Sequence, residues 1–220
     1  ALAPEIHKKW TNLTGQILLE RYGMTEVGMA ISNPYKGERR PGSVGLPLPN
    51  VEICLMEKGK VIEEENIPGE IMIKGPQVLA EYWGKSEITK ESFVDGWFKS
   101  GDVAILEKGY FKILGRDSVD IIKSGAYKIS ALEIEDTLLK HPSIKECAVV
   151  GIEDNKWGEI VAVSITSAGK EDLSLENLQK WSTDFLSDYK IPRKMNIVSE
   201  LPKNSMGKIN KPEVKKSFLT

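Results

Sequence analysis

The stretch "GRDSVDIIKSGAYKISALEIE" at residues 115–135 marks the point where the secondary-structure pattern of this 220-residue chain changes. Before it, short segments rich in branched and aromatic residues, bounded by Gly and Pro, predict β-strands. These segments are "VEICLM" (51–56), "GEIMIKG" (69–75) and "AILEKGYFKILG" (104–115), the last with a hairpin turn at Lys108-Gly109. The dense Pro and Gly of "PGSVGLPLPN" (41–50) predict loop and turn rather than a central strand. The first part of the chain is therefore predicted to be β-rich.

After Arg116 the pattern alternates between strand and helix. Ser130 and Glu133 form an S-x-x-E capping box that predicts a helix start, and Pro142 predicts its end. Further strands are predicted at 144–152, 158–166 and 194–200. A second helix is predicted to start near Ser174 and to carry an apolar stripe, interpreted as core packing, of Leu178, Trp181, Phe185 and Tyr189.

The composition is that of a soluble globular protein with no demand for a charged partner. Thirty basic and thirty-two acidic residues leave a net charge of −2, so neither nucleic acid nor an anionic membrane is indicated as a partner. No apolar run approaches the roughly 20 residues that cross a bilayer. Cys54 and Cys147 lack the spacing of a zinc site or a disulfide framework, so we expect buried, reduced thiols in an intracellular protein.

Chemically versatile side chains are concentrated in "ERYGMTEVG" (20–28), which contains Tyr22, Gly23, Thr25 and Glu26. This set could stack a base on the ring, bond a phosphate through the hydroxyl and hold Mg²⁺ through the carboxylate. A plain turn between two strands explains the composition equally well.

Two further stretches carry candidate ligands. Asp102, in "FKSGDVA" (98–104), follows a glycine at a predicted strand start, where an exposed Asp could accept hydrogen bonds from a ribose diol or form an Asx turn. Around 115–135 the chain packs Arg116, Lys123, Gly125 and Lys128 at the boundary of the two pieces. A basic boundary of this kind suits a polyphosphate ligand.

Gly207-Lys208, in "LPKNSMGKIN", resembles a P-loop only superficially. The P-loop spacing requires a glycine where this chain has Pro202, and no Ser or Thr follows Lys208. Residue type alone favours a solvated lysine in a surface turn.

Taken in series, "YGMTE", "SGD", "GRDSVDIIKSGAYKISALEIE" and "PKNSMGK" resemble the later core motifs of the adenylate-forming superfamily of acyl-CoA synthetases, adenylation domains and luciferases. The resemblance implies an α+β fold in which the β-rich end of the large domain, at 1–116, is followed by a mobile α/β lid domain at 117–220. "ERYGMTE", "SNPYKGERRPGSVGLPLPNV" and "MGK" are similar to malonyl-CoA synthetases and their close acyl-CoA synthetase relatives.

The resemblance implies a two-step ligase that joins a carboxylic acid, malonate or a fatty acid, to coenzyme A. ATP would first give an acyl-adenylate and pyrophosphate, and the thiol would then displace AMP. The implied nucleotide roles are adenine stacking by Tyr22 beside Gly23, α-phosphate contact by Thr25, Mg²⁺ binding by Glu26, and ribose binding by Asp102 with support from Arg116.

In the lid, Lys208 would stabilise the anionic transition state between the carboxylate and the α-phosphate. After the lid rotates for the second step, Gly125 would line the pantetheine tunnel and Lys123 would face the active site. The hinge position, usually Asp or Lys in the family, is Ser118 here.

The superfamily's Ser/Thr/Gly-rich phosphate loop, expected upstream of "YGMTE", does not occur in these residues. The chain also opens at "ALAPEIHKKW" without an initiator methionine. We therefore expect the C-terminal section of a longer cytoplasmic or mitochondrial enzyme, which alone binds nucleotide poorly and does not catalyse.

Two alternatives remain open on the sequence. A medium- or long-chain fatty acyl-CoA synthetase would share every motif; Arg39 or Arg40 could meet the second carboxylate of a dianionic acid, although a solvated role in their turn is favoured. A non-catalytic nucleotide-binding or interaction module is the alternative of another class, and the lysine-rich end at 203–216 could meet coenzyme A phosphates or form a solvated face.

Overall fold

The computed structural model describes residues 2–169 and 173–219. They divide into two compact units, with the boundary between Asp117 and Ser118. That boundary lies inside the stretch 115–135 where the sequence pattern changes. Each unit has its own buried apolar core.

The first unit is built on two antiparallel sheets. One has the strand order β1-β2-β3, and the other has the order β5-β4-β6-β8-β7 with β9 paired to β8. The elements are α1 (Pro4–Thr14), β1 (Arg21–Met24), β2 (Gly28–Ser32), β3 (Leu46–Pro47), β4 (Glu52–Glu57), β5 (Lys60–Ile62), β6 (Gly69–Lys74), α2 (Ser86–Glu91), β7 (Phe93–Val94), β8 (Trp97–Glu107) and β9 (Tyr110–Arg116).

The strand predictions for this unit are confirmed. Lys108 and Gly109 both have positive φ, at 50° and 77°, as a two-residue hairpin turn of type I′ requires. The segment 41–50 contributes only the two-residue β3 at a sheet edge. The helix α1 was missed, although Pro4 in its first turn and Gly15 as its left-handed C-cap are ordinary helix boundary signals.

The second unit is a sheet with helices on both faces. Its strands run in the order β11-β10-β13-β12, and β14 adds to β13 in parallel. The elements are β10 (Ile121–Ser124), β11 (Tyr127–Ser130), α3 (Ala131–Leu138), β12 (Ile144–Asp154), β13 (Gly158–Ser167), α4 (Leu175–Ser182), a 3-10 turn (Asp188–Lys190), β14 (Lys194–Ile197) and α5 (Lys211–Lys216).

The long hairpin β12–β13 is buried on both sides, which explains its continuous apolar sequence. Val149 and Val163 pack against α3 and α4, whereas Val150 and Ala162 pack toward Val214 of α5. This double burial makes the hairpin the centre of the unit.

The first helix of this unit starts as predicted. Ser130 Oγ accepts a hydrogen bond from the Glu133 backbone N–H at 3.2 Å, which caps α3. The helix ends at Leu138, before Pro142. Ile134 and Leu138 are fully buried on the same face.

The prediction that one apolar stripe continues through Phe185 and Tyr189 is wrong. The helix α4 ends at Ser182, Phe185 is 54% exposed, and Tyr189 lies in the separate 3-10 turn. The cause is local, because Thr183 Oγ1 donates to the Lys180 carbonyl at 2.7 Å and short polar side chains of this kind compete with the helical backbone.

The two cysteines differ in burial. Both are free thiols; Cys147 is buried as predicted, but Cys54 is only half-buried. Burial raises the pKa of both thiols. Among the described residues, no helix is both long enough and apolar enough to cross a membrane.

Candidate functional site

The hairpin β1–β2 carries the first group of predicted site residues. Tyr22 and Gly23 lie in β1, and Thr25 and Glu26 lie in the turn, which the Val27 N–H closes by donating to the Met24 carbonyl at 3.1 Å. The turn between two strands that the sequence allowed is therefore present. It places a hydroxyl and a carboxylate together at the tip of the hairpin.

Gly23 is required in this hairpin by its packing. A Cβ at this position would collide with the carbonyl oxygen of Gly28 on the partner strand. We predict that Gly23→Ala destabilises the first unit by about 2–3 kcal/mol, as overpacking does. Gly28→Ala is the matched control: its Cβ would meet open space, so only the left-handed φ of 59° should cost about 1 kcal/mol. Urea unfolding of the chain measures both, and equal losses would contradict the packing argument.

Asp102 is the centre of a second group. Tyr22 Oη donates to Asp102 Oδ2 at 2.7 Å, and Arg116 Nε donates to Asp102 Oδ1 at 3.2 Å. Asp102 and Arg116 are direct cross-strand partners on β8 and β9. The structure thus brings Tyr22, Asp102 and Arg116 together as one hydrogen-bonded cluster.

The prediction that Asp102 lies at a strand start is wrong. The residue lies within β8, and its side chain is 17% exposed. The strand continues through the preceding Gly101, whose φ of 75° only a glycine adopts readily. The Ser100 hydroxyl, not Asp102, makes the local turn bond by accepting from the Asp102 N–H at 3.1 Å.

Electrostatics keep the two donors of this cluster, Tyr22 and Arg116, protonated. Burial, and then the charge of Asp102, raise the pKa of the Tyr22 phenol, so the phenol remains a donor. The carboxylate likewise raises the pKa of Arg116. Each oxygen of Asp102 receives one of these donors and keeps lone-pair capacity for a further donor such as a diol.

Glu26 is held from a different segment. Tyr82 Oη donates to Glu26 Oε1 at 3.2 Å, and the Leu79 N–H donates to the Glu26 backbone carbonyl at 2.7 Å. Within the described residues, no three or more His, Cys, Asp and Glu side chains group as a metal cage. A single carboxylate such as Glu26 suffices for Mg²⁺ when water and phosphate oxygens are its other ligands.

In the second unit, Lys123 and Gly125 lie on the hairpin β10–β11. Lys123 is exposed and pairs across the strands with Lys128, and Gly125 forms the turn with φ of 58°. The Gly125 N–H donates to the Trp157 carbonyl at 2.7 Å. A Cβ on Gly125 would lie 3.4 Å from the Trp157 ring, so the turn lies directly against this aromatic side chain.

Lys208 projects from a loop that is tightly hydrogen-bonded. Asn204 Oδ1 accepts from the backbone N–H of Met206 and of Lys208, each at 3.0 Å, and the Asn204 N–H donates to the Lys208 carbonyl at 2.8 Å. Gly207 adopts φ of 77° to close this loop. The lysine is exposed on a well-defined backbone, and Asn204 is a supporting residue that the sequence analysis missed.

The structure also shows a buried ion cluster that was missed. Lys211 is 9% exposed, and its Nζ lies 2.5 Å from Asp120 Oδ1 and 2.8 Å from Glu135 Oε1. Burial raises the pKa of Glu135, whereas the two acids outweigh burial and raise the pKa of Lys211. The cluster joins the start of α5 to α3 and to the segment before β10.

Comparison with known proteins places these motifs in a family. The family model of AMP-binding enzymes matches residues 1–83, and the model of the AMP-binding enzyme C-terminal domain matches residues 133–208. The chain belongs to the AMP-binding, adenylate-forming superfamily, and its α+β fold is the one expected for it.

Within that class the chain is similar to malonate–CoA ligases. It is 49% identical to the Arabidopsis thaliana malonate–CoA ligase, covering 99% of the chain and 37% of that protein. It is 43% identical to the mitochondrial malonate–CoA ligase of Homo sapiens, covering 99% and 42%. The chain thus spans about two fifths of the length of these curated relatives.

The solved structures agree with this similarity. The ATP-bound crystal structure of MatB from Rhodopseudomonas palustris matches with a TM-score of 0.90 at 35% identity, over 99% of this chain and 44% of that one.

A long-chain-fatty-acid–CoA ligase of Escherichia coli is also similar in sequence, at 37% identity over 96% of the chain and 37% of that protein.

Proposed function

We propose that this chain is the section of an AMP-forming malonate–CoA ligase that binds the adenosine and carries the lid lysine. The observation that carries the proposal is the Asp102 carboxylate held between Tyr22 and Arg116, in a chain similar over its whole length to malonate–CoA ligases. The full reaction would join malonate, ATP and coenzyme A to give malonyl-CoA, AMP and pyrophosphate.

In this proposal Asp102 accepts the ribose hydroxyls. The two bonds to Tyr22 and Arg116 fix both carboxylate oxygens before the nucleotide arrives, so little ordering remains to be done on binding. The Tyr22 ring stacks on adenine beside Gly23, and the Thr25 hydroxyl bonds the α-phosphate from the hairpin tip.

Glu26 is the proposed Mg²⁺ ligand. It fits a single-carboxylate role, because one carboxylate together with phosphate and water oxygens satisfies this ion. The ion would supply charge neutralisation to the phosphates, and the part of this chain is to hold the Glu26 carboxylate in place through the segment that contains Tyr82.

The second unit is the proposed lid, with Ser118 as its hinge at the boundary between the units. Lys208 would bring its positive charge to the developing negative charge of the first step. Lys123 would face the site in the second step, when the turn at Gly125 would line the path of the coenzyme A thiol. The domain limits proposed are 1–116 and 117–220.

A fatty acid is the second candidate substrate, because the chain also resembles a long-chain-fatty-acid–CoA ligase. The two arginines considered for a second carboxylate are already engaged. Arg39 donates to the backbone carbonyls of Ile17, Pro34 and Tyr35. Arg40 lies 3.8 Å over the Tyr110 ring and pairs with Glu38 at 2.9 Å. We propose that the residue selecting malonate lies elsewhere in the enzyme.

The lysine-rich end gives little support to the non-catalytic alternative. Most of its lysines are held in ion pairs with acids of the same unit: Lys203 with Glu146, Lys211 with Asp120 and Glu135, Lys215 with Glu159, and Lys216 with Glu213. A surface whose lysines are neutralised in this way attracts phosphate groups only weakly.

The experiment is a grafted ligase, in which residues 1–220 replace the matched 37% of the Arabidopsis thaliana malonate–CoA ligase. A RpMatB-BxBclM chimera has given an ATP-bound crystal structure, so exchange of segments is practicable for that pair. The graft is offered malonate, methylmalonate, acetate, octanoate and palmitate, and each CoA thioester is quantified. Because the rest of the graft is a malonate–CoA ligase, malonyl-CoA formation supports the proposal that residues 1–220 supply the nucleotide site and the lid, and a folded graft that forms no CoA thioester would contradict it. Palmitoyl-CoA as the main product would mean that this section selects the acid, and it would favour the second candidate.

A further inference from the structure

Tyr82 lies 56 residues from Glu26 in the sequence, yet its hydroxyl reaches the Glu26 side chain. It belongs to "EYWG" (81–84), a stretch to which the sequence analysis gave no role. The contact is 3.2 Å from Tyr82 Oη to Glu26 Oε1. Among the described residues, Glu26 Oε2 accepts no hydrogen bond, so one oxygen is held and the other is left for a ligand.

The segment around Tyr82 is itself fixed on both sides. The Tyr82 N–H donates to Thr89 Oγ1 at 3.0 Å, and the Lys85 N–H donates to the Tyr82 carbonyl at 3.0 Å, which ties the residue to the start of α2. Three residues earlier, the Leu79 N–H donates to the Glu26 carbonyl at 2.7 Å. Both the backbone and the side chain of Glu26 are therefore held by one short stretch of chain.

The groups around this pair favour an oriented carboxylate. The Tyr82 phenol is the donor in this contact, because an ionised carboxylate oxygen only accepts. The Arg116 guanidinium interacts electrostatically with both side chains. A glutamate has several rotatable bonds, and holding one oxygen removes much of the freedom that metal binding would otherwise have to restrict.

We propose that Tyr82 is a positioning residue that orients Glu26 for binding a divalent cation together with a nucleotide. The inference rests on the proposed function, because it assumes that Glu26 is a metal ligand. Tyr82 itself touches neither metal nor nucleotide in this account. Its role is exerted through the Glu26 carboxylate.

The test is a titration of the grafted ligase with the Mn²⁺–ATP complex, with protein-bound Mn²⁺ followed by electron paramagnetic resonance. Tyr82→Phe removes only the hydroxyl and keeps the ring. We expect it to raise the Kd for Mn²⁺ with ATP about three- to tenfold, the range of an ordinary net hydrogen bond, since the pair is only half-buried. Binding of ATP without metal should be unchanged. A purely structural role for Tyr82 would instead weaken ATP binding with and without the metal.

Two variants serve as controls. Tyr35→Phe removes the hydroxyl of a tyrosine that is 80% exposed, and it should bind Mn²⁺ and ATP as the grafted ligase without substitutions does. Glu26→Gln removes the carboxylate charge and should weaken Mn²⁺ binding more than Tyr82→Phe does. Thermal unfolding of each variant shows that the fold is kept.

The outcomes separate the inference from the proposed function. If Glu26→Gln weakens Mn²⁺ binding and Tyr82→Phe does not, the positioning role is wrong while the metal role of Glu26 stands. Tighter binding by Tyr82→Phe would also overturn the inference, because the hydroxyl would then compete with the metal. If the grafted ligase without these substitutions binds no Mn²⁺ with ATP, the proposed nucleotide site fails and the inference fails with it.

Discussion

Replacing Lys208 by alanine in the grafted ligase should lower malonate-dependent ATP–pyrophosphate exchange by about 10²–10³-fold, the loss typical when one group that stabilises transition-state charge is removed. The lysine lies exposed on a loop whose backbone Asn204 and Gly207 fix, so the change removes the charge without disturbing the fold. The second step, formation of malonyl-CoA from preformed malonyl-adenylate and coenzyme A, should change little, since the lysine acts in the first step.

Lys216→Ala is the matched control for charge. Lys216 is exposed at the end of α5 and, within the described part of the chain, forms its ion pair with the near neighbour Glu213 at 2.7 Å. This variant should keep full exchange activity. If both steps fell equally in Lys208→Ala, or if exchange were unaffected, the lysine would not have the step-specific role assigned to it.

Lys211→Met should destabilise the second unit by about 3 kcal/mol or more, because it removes the cation that offsets two neighbouring, largely buried carboxylates. Asp120 and Glu135 would remain with side chains only 16% and 13% exposed. Urea unfolding of the chain measures the loss, and Lys215→Met is the matched control. Lys215 pairs with Glu159, and the two side chains are 39% and 25% exposed, respectively. Loss of this ion pair should therefore cost less than about 1 kcal/mol.

The Lys211→Met loss should also depend on pH in a defined direction. Burial already raises the pKa of Glu135, and removal of Lys211 takes away the charge that opposes this shift. A carboxyl whose pKa is raised by folding costs stability when ionised and regains it on protonation. The penalty should therefore shrink as the pH is lowered from neutral toward about 5, and a penalty that grew with acidity would contradict the ion-cluster account.

Local sequence signals predicted much of the secondary structure because they act over a few residues. Lys108-Gly109 specified its turn through backbone conformation, and Ser130 specified the start of α3 by capping it. The strands β12 and β13 were predictable because burial on both faces requires apolar residues throughout. The same local reasoning failed at α4, where the polar residues after Lys180 ended the helix despite an apolar periodicity that continued.

The site was only partly predictable because its contacts are distant in sequence. The motifs pointed to Tyr22, Asp102 and Arg116 one by one, but the bond from Tyr22 to Asp102 spans 80 residues. That pairing, not composition, changes Asp102 from an exposed turn residue into a mostly buried, doubly bonded carboxylate. The contact of Lys211 with Asp120 spans 91 residues, and no local pattern marks it.

The central claim is that residues of this chain form part of a site that activates malonate as an adenylate. The measurement that tests it most directly is malonate-dependent exchange of labelled pyrophosphate into ATP by the grafted ligase and by its Asp102→Ala variant. The account predicts exchange in the graft, AMP as the nucleotide product, and a severe loss of exchange in the variant. Release of ADP and phosphate, or full exchange without Asp102, would contradict it.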